Sequence, residues 1–290
     1  MNKKTYYYSV ARHVFSVNRP LDPAYAPFRT VAKSQTVFDI KIKMERFHGK
    51  LSREILHQRE NEVEISVGTH KSKLYFEFRL MGKRASVLLT DIKYRKATLL
   101  VQDYPKYSID SGLMVMYALS TATRSTLLFH SSVVMEDDGY AYMFLGKSGT
   151  GKSTHSQLWI DTIKGIFLLN DDNPVVRAYP GGVIYVYGSP WSGKTPCYKN
   201  DYSALGGIVM LGQAKVNRIE RLCQEEAYAD IITSVSGTRW DSRIKSGQHK
   251  TTQQLVHYIP LYHLWCRPDK EAAKVCHDGV CIARKVSQGG

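Results

Sequence analysis

An α/β fold is predicted for this chain of 290 residues, and three observations predict it. Residues 63–67 and 74–80 alternate apolar and polar side chains in the two-residue period of half-buried strands. The stretch Gly146-Lys147-Ser148-Gly149-Thr150-Gly151-Lys152-Ser153 separates an apolar run, residues 140–145, from a helical run, residues 153–160. Upstream, residues 127–135 read as another strand, joined to residue 140 through Asp138-Gly139, a tight-turn pair. The strand entering the glycine-rich loop therefore has an antiparallel partner, and the sheet is expected to be mixed.

The elements follow in order. Val63, Ile65 and Val67 mark one strand, and Leu74, Phe76, Phe78 and Leu80 mark the next. Met81-Gly82-Lys83 turns the chain into residues 86–89, and residues 97–101 add a further strand. Asp103-Tyr104-Pro105 breaks the pattern. A helix is expected from an N-cap at Asp110 or Ser111 to about Arg124, burying Leu113, Met116, Tyr117 and Ala122. Beyond the loop, residues 165–169 form a buried-strand run ending in Asn170-Asp171-Asp172-Asn173-Pro174. Residues 183–187, 208–211 and 258–266 read as strands, and 268–273 as a helix start. Two regions result: a β-rich basic region, 1–108, and a loop-bearing α/β domain, 109–290.

Composition bounds the class. Apolar content of 43% and charged content of 23% are those of a soluble protein. No run approaches the length of a membrane span, and no apolar stretch follows the basic start, so a cytoplasmic protein without a membrane partner is expected. Residues 1–108 hold 21 Lys and Arg against 10 Asp and Glu, or +11 of the net +14. A solvated face is the first reading of that excess; an acidic partner comes next, and nucleic acid last. Cys266, Cys276, His277 and Cys281 cluster near the C-terminus without a C-x-x-C pair, and read as reduced, partly buried thiols rather than a zinc site.

The glycine-rich stretch fits G-x-x-x-x-G-K-[ST] residue for residue. Glycines let the backbone curl so that successive N–H groups face phosphate oxygens; Lys152 then reaches the β- and γ-phosphates and the Ser153 hydroxyl ligates Mg²⁺. Asp171 lies 19 residues beyond Lys152 (171 − 152), so one short helix can join the two strands. Carboxylates at the end of an apolar strand suit a metal bridging nucleotide phosphates.

Together with His130-Ser131-Ser132-Val133-Val134, these segments resemble the serine kinase/phosphorylase of the phosphocarrier protein HPr, whose catalytic domain is akin to ATP-dependent phosphoenolpyruvate carboxykinase. The resemblance covers roughly residues 125–175. It implies a mixed-sheet P-loop kinase domain that uses ATP and Mg²⁺, bound across Gly146 to Thr154, to phosphorylate a serine hydroxyl. By position, the resemblance implies that His130 faces the active site, Asp171 is the base and Asp172 is the metal-associated carboxylate. From the residues alone the two aspartates could exchange roles, or cap the strand end and form the turn. Thr154 stands where those kinases carry Glu, and their downstream phosphorolysis signature is absent. Both departures point away from HPr as the acceptor and from the reverse, phosphorylase reaction.

Further candidates are Lys194, which either reaches the transferred phosphoryl group or is a solvated loop lysine, and the weaker Arg177; Trp191 reads as a packing anchor. The resulting expectation is an ATP-dependent phosphotransferase acting on Ser or Thr of a peptide or protein. Its rivals are a carboxykinase acting on a small carboxylate and an ATP-binding regulatory protein without transfer. The acceptor and the oligomeric state, a homo-oligomer included, stay open.

Overall fold

The alternating runs of the N-terminal region fold as antiparallel strands, as their period requires. The structure is a computed structural model that describes residues 4–31, 35–193, 195–237 and 240–288, with 282–288 described by backbone alone. Two compact units are present: residues 1–122 with 237–242, and residues 123–236 with 243–290.

The first unit opens with β1 (Tyr6–Val10), β2 (His13–Val17), β3 (Arg29–Thr30) and β4 (Phe38–Lys43). Longer strands follow: β5 (Arg53–Glu60), β6 (Val63–His70), β7 (Lys73–Leu80), β8 (Lys83–Thr90) and β9 (Lys96–Val101). Among the described residues these strands form one sheet, in the order β3-β1-β2-β4-β9-β8-β7-β6-β5. It is mixed, because β2 with β4 and β4 with β9 run parallel while β5 to β9 form an antiparallel meander. Helix α1 (Pro105–Thr121) packs on β8 and β9, burying Leu113, Met116 and Tyr117. It starts five residues before the expected cap. Proline lacks the N–H that a first helical turn leaves unused, so Pro105 opens the helix, with Tyr104 at φ 45° before it. Asp110 lies within the helix and accepts a hydrogen bond from the Tyr25 hydroxyl at 2.7 Å.

The second unit begins with β10 (Thr126–Leu128), β11 (Ser131–Glu136), β12 (Tyr140–Leu145), α2 (Lys152–Thr162) and β13 (Ile166–Asp172). Strands β14 (Val175–Ala178), β15 (Ile184–Tyr187), β16 (Tyr202–Gln213) and β17 (Arg218–Arg221) come next. Helices α3 (Gln224–Ser234) and α4 (Ser242–Tyr258), strand β18 (Leu261–Cys266) and helix α5 (Lys270–Gln288) complete it. The sheet order is β10-β14-β15-β16-β12-β11-β13, with β18 parallel beside the end of β16 and β17 antiparallel to β18. The expected hairpin is present: β11 and β12 are antiparallel, while β12 runs parallel to β16 on its other edge. The architecture is mixed α/β.

Two expected strands differ. Residues 127–135 are split, because the chain leaves the sheet at His130, whose N–H donates to the Ser234 carbonyl. One half pairs with β14 and the other lies between β12 and β13, two places one straight strand cannot serve. Of residues 258–266, only 261–266 are strand; Tyr258 closes α4, which stops as Pro260 approaches.

Alternation along β12 feeds a core on each face of the sheet. Ala141, Met143 and Leu145 join a cluster with Ala227 and Ile231 of α3 and Leu255 of α4. Tyr142 and Phe144 join Trp159 of α2 and Ala273, Cys276 and Val280 of α5 on the other face. A strand buried on both faces reads as an unbroken apolar run, as residues 140–145 do. Strand β13 is an edge, which leaves Phe167 46% exposed where a buried run was expected.

Candidate phosphate-binding site

The loop between β12 and α2 is shaped by its glycines. Gly146, Gly149 and Gly151 adopt φ of 150°, 81° and 100°. A Cβ on Gly146 would lie 2.5 Å from Thr150 Oγ1, so this turn has no room for a side chain. Thr150 closes the curl by donating from Oγ1 to the Lys147 carbonyl at 2.8 Å. Gly151 caps α2 without a side-chain hydrogen bond, and the His155 N–H donates to its carbonyl. The first amides of a helix lack intrahelical acceptors and carry the positive end of its dipole, which together suit an anion. Lys152 is buried beneath the loop, donating from Nζ to the Gly146 carbonyl at 3.0 Å and the Lys147 carbonyl at 3.3 Å. Ser153 and Thr154 are exposed on the first turn of α2.

The aspartates are brought level with this loop by strand register. Ser132 of β11 pairs with Phe144 on one side and with Asp171 on the other. Phe144, Ser132 and Asp171 thus stand abreast, which puts Phe144 and Asp171 about 10 Å apart across two strand spacings. Because β12 and β13 both run antiparallel to β11, their carboxyl ends emerge at the same edge of the sheet. Ser132 Oγ also lies 2.6 Å from Ser156 Oγ of α2, tying the central strand to the loop helix.

Asp171 and Asp172 have different surroundings, as neighbours on an extended strand should. Asp171 is 5% exposed, and its Oδ1 is buried with no hydrogen-bond partner among the described residues. Asp172 is partly exposed; its Oδ1 lies 2.9 Å from His130 Nδ1 and its Oδ2 accepts from Asn173 Nδ2 at 2.7 Å. The structure therefore joins His130 to Asp172, the carboxylate expected at the metal.

A clamp behind these groups escaped the sequence reading. The fully buried Asn170 accepts at Oδ1 from the N–H groups of Asp172 and Asn173, at 3.1 and 2.9 Å. Its Nδ2 donates to Ser189 Oγ at 3.2 Å and, over longer distances, to the Ser189 and Trp191 carbonyls. Ser189 Oγ in turn donates to the Asn173 carbonyl at 2.6 Å. The Asn-x-x-Asn spacing hints at the turn, but nothing local announces Ser189 as its partner. Trp191 is 3% exposed, in keeping with a packing anchor.

No protein-family model matches the chain, and no curated protein sequence matches it. Among solved structures it is similar to the Hpr(Ser) kinase/phosphatase from Coxiella burnetii, at 10% identity and a TM-score of 0.31, over 56% of this chain and 99% of that one.

A cavity of about 460 Å³ opens beside the loop, lined by Gly149, Thr150, Thr154, Leu158, Leu211 and Arg267. His155 also faces it; burial depresses its pKa to about 4, so the ring is neutral and its Nε2 accepts from Trp159 Nε1 at 3.1 Å. A larger open depression, about 710 Å³, lies between α3 and α4 near Tyr228 and His249 and holds neither loop nor aspartate residues. Arg177 sits on β14 with its guanidinium over the Tyr179 ring, 5.0 Å from its centroid. Lys194 lies outside the described residues.

Proposed function

We propose that the second unit binds a nucleoside triphosphate, ATP in the first instance, and transfers its γ-phosphoryl group to a Ser or Thr hydroxyl of a peptide or protein. The observation that carries this reading is the placement of a buried carboxylate oxygen without a partner, on Asp171, abreast of the strand that enters a glycine-shaped anion loop. Structural aspartates at a strand end are normally consumed by turns and caps. Here Asn170 makes the turn, and Asp171 Oδ1 is left without a hydrogen-bond partner among the described residues.

In this reading the loop amides and Lys152 cradle the phosphates, Lys152 exchanging loop carbonyls for phosphate oxygens. The cavity beside Thr154 and Leu158 takes the nucleoside. The acceptor oxygen bonds to the γ-phosphorus as the bond from that phosphorus to the β,γ-bridging oxygen breaks, leaving the nucleoside diphosphate. The hydroxyl proton passes to Asp171, a general-base role. Mg²⁺ suits the hard oxygen donors present; Ser153 and Asp172 would hold it, and it would offset phosphate charge. His130 orients Asp172 through their contact. The +11 charge of residues 1–108 supports an acidic polypeptide as acceptor.

Labelled ATP added to lysate of the native host, separated into protein and small-molecule fractions, tests this. Label is expected in protein, and to decline between low and physiological salt as screening weakens docking. Label confined to a small molecule removes the polypeptide acceptor. Binding without transfer removes the kinase.

A further inference from the structure

The far end of β11 carries a second constellation. Glu136, the last residue of that strand, faces His277 and Cys281 of α5. Residues four apart on a helix share one face, so the imidazole and the thiol of α5 point the same way. One donor atom from each of the three residues lies within 4.8 Å of the other two. His277 Nε2 and Glu136 Oε1 are 3.3 Å apart. Two ligands bound to one tetrahedral ion at about 2.1 Å are separated by about 3.4 Å, so this pair already has the spacing of a coordination edge.

We propose that Glu136, His277 and Cys281 bind a zinc ion. A second, independent observation is that Glu136 Oε2 is buried with no hydrogen-bond partner among the described residues. An unsatisfied buried carboxylate oxygen is costly, and a cation beside it removes the cost. The donor set selects the metal: a thiolate and an imidazole favour zinc over the hard cations Mg²⁺ and Ca²⁺. The outer contacts are those that hold such ligands in place. The Tyr142 hydroxyl lies 3.3 Å from Cys281 Sγ. The Trp159 ring meets the His277 ring edge-on, with centroids 5.2 Å apart. Side-chain exposures of 18% for Glu136 and 21% for His277 leave a route from solvent, and water completes the coordination.

A nucleophilic Cys-His-Glu triad would use the same residue types. It needs a thiol open to substrate, whereas Cys281 is buried within the core cluster of Val280 and Cys276. The site is also separate from the phosphate loop. Ser131 to Glu136 spans about 17 Å of extended strand, and the hard oxygen donors of Ser153 and Asp172 belong to the other end. The zinc pins α5 to the sheet on the face that carries α2, so binding energy becomes folding energy.

The test uses the full chain without a histidine tag. Elemental analysis is expected to find one zinc per chain. Protein stripped with a chelator should melt at a temperature that rises with added zinc, and its cobalt form should show a thiolate-to-metal charge-transfer band. Glu136→Gln, which keeps the side-chain shape, should lower zinc affinity by more than ~10-fold. Cys281→Ser should abolish the charge-transfer band. A zinc-free wild-type protein whose melting temperature ignores added zinc and whose cobalt form lacks the thiolate band overturns the proposal, whether or not either variant folds. So does zinc bound equally well by wild type and both variants.

Discussion

His130 Nδ1 lies 2.9 Å from Asp172 Oδ1, bridging a residue that precedes β11 and one that ends β13. The contact follows from register: Ser131 pairs with Asp172, so the residue before Ser131 arrives beside the carboxylate. The pair fixes where Asp172 presents its oxygens, and it sets the comparison between the two aspartates.

Asp171→Asn and Asp172→Asn should have different consequences. In the proposed mechanism Asp171 accepts the hydroxyl proton, so Asp171→Asn is expected to lower the transfer rate by ~10²–10⁴-fold with nucleotide affinity kept. Stability should hold or rise, because Asp171 Oδ1 is buried without a partner. Asp172→Asn should instead weaken Mg²⁺-dependent nucleotide binding. Single-turnover rates and calorimetry with and without Mg²⁺ separate the two, and equal effects in both variants would sink the division of roles.

Lys152→Ala should leave the fold intact and remove tight nucleotide binding. Its ammonium makes two hydrogen bonds to loop carbonyls that phosphate oxygens would replace. Charge-assisted bonds are worth about 1.5–3 kcal/mol each, so affinity should fall ~10²–10⁴-fold. Unchanged ATP affinity in a folded variant, measured by calorimetry, would remove the loop from the mechanism.

Asn170→Ala is expected to injure both stability and turnover. It removes the two bonds that hold the Asp172 and Asn173 amides and leaves Ser189 without one of its donors. Stranding buried polar groups costs about 1–3 kcal/mol each, so a loss of about 2–4 kcal/mol is expected in denaturant titration. The turnover number should drop at temperatures where the variant is folded. Full turnover would show the turn to be indifferent to Asn170.

His155 should impose a pH slope on stability. Burial depresses its folded pKa to about 4 from an ordinary 6.5, so between those values the unfolded chain binds a proton that the folded chain refuses. Its contribution is complete above pH 6.5 and is lost as pH falls toward 4, by about 3 kcal/mol in all. His155→Gln should flatten that part of the profile in urea titrations between pH 4 and 7. An unchanged slope would mean that other groups set it.

The parts of this protein legible in sequence are those whose physics is local. Glycine tolerance of positive φ wrote the loop at 146, 149 and 151, the Asp138-Gly139 turn wrote the hairpin, and two-residue alternation wrote β6 and β7. Helix α4 was not legible, because its buried face mixes Ile244 and Leu255 with Gln248, Thr251 and Thr252 and so carries no apolar stripe. The start of α1 was misplaced because Asp110 looks like a cap, yet it spends its carboxylate on Tyr25.

What the sequence determined by itself is the glycine-rich loop, the strand that feeds it and the helix that leaves it, since each depends on backbone preferences a few residues wide. Tertiary structure decided which side chains meet. It placed β11 between β12 and β13, brought His130 to Asp172 and Ser189 to Asn170, and gathered Glu136 with His277 and Cys281 from the two ends of the second unit. Those meetings are set by strand register and by the burial of two opposite sheet faces, and both are properties of the whole sheet rather than of any one segment.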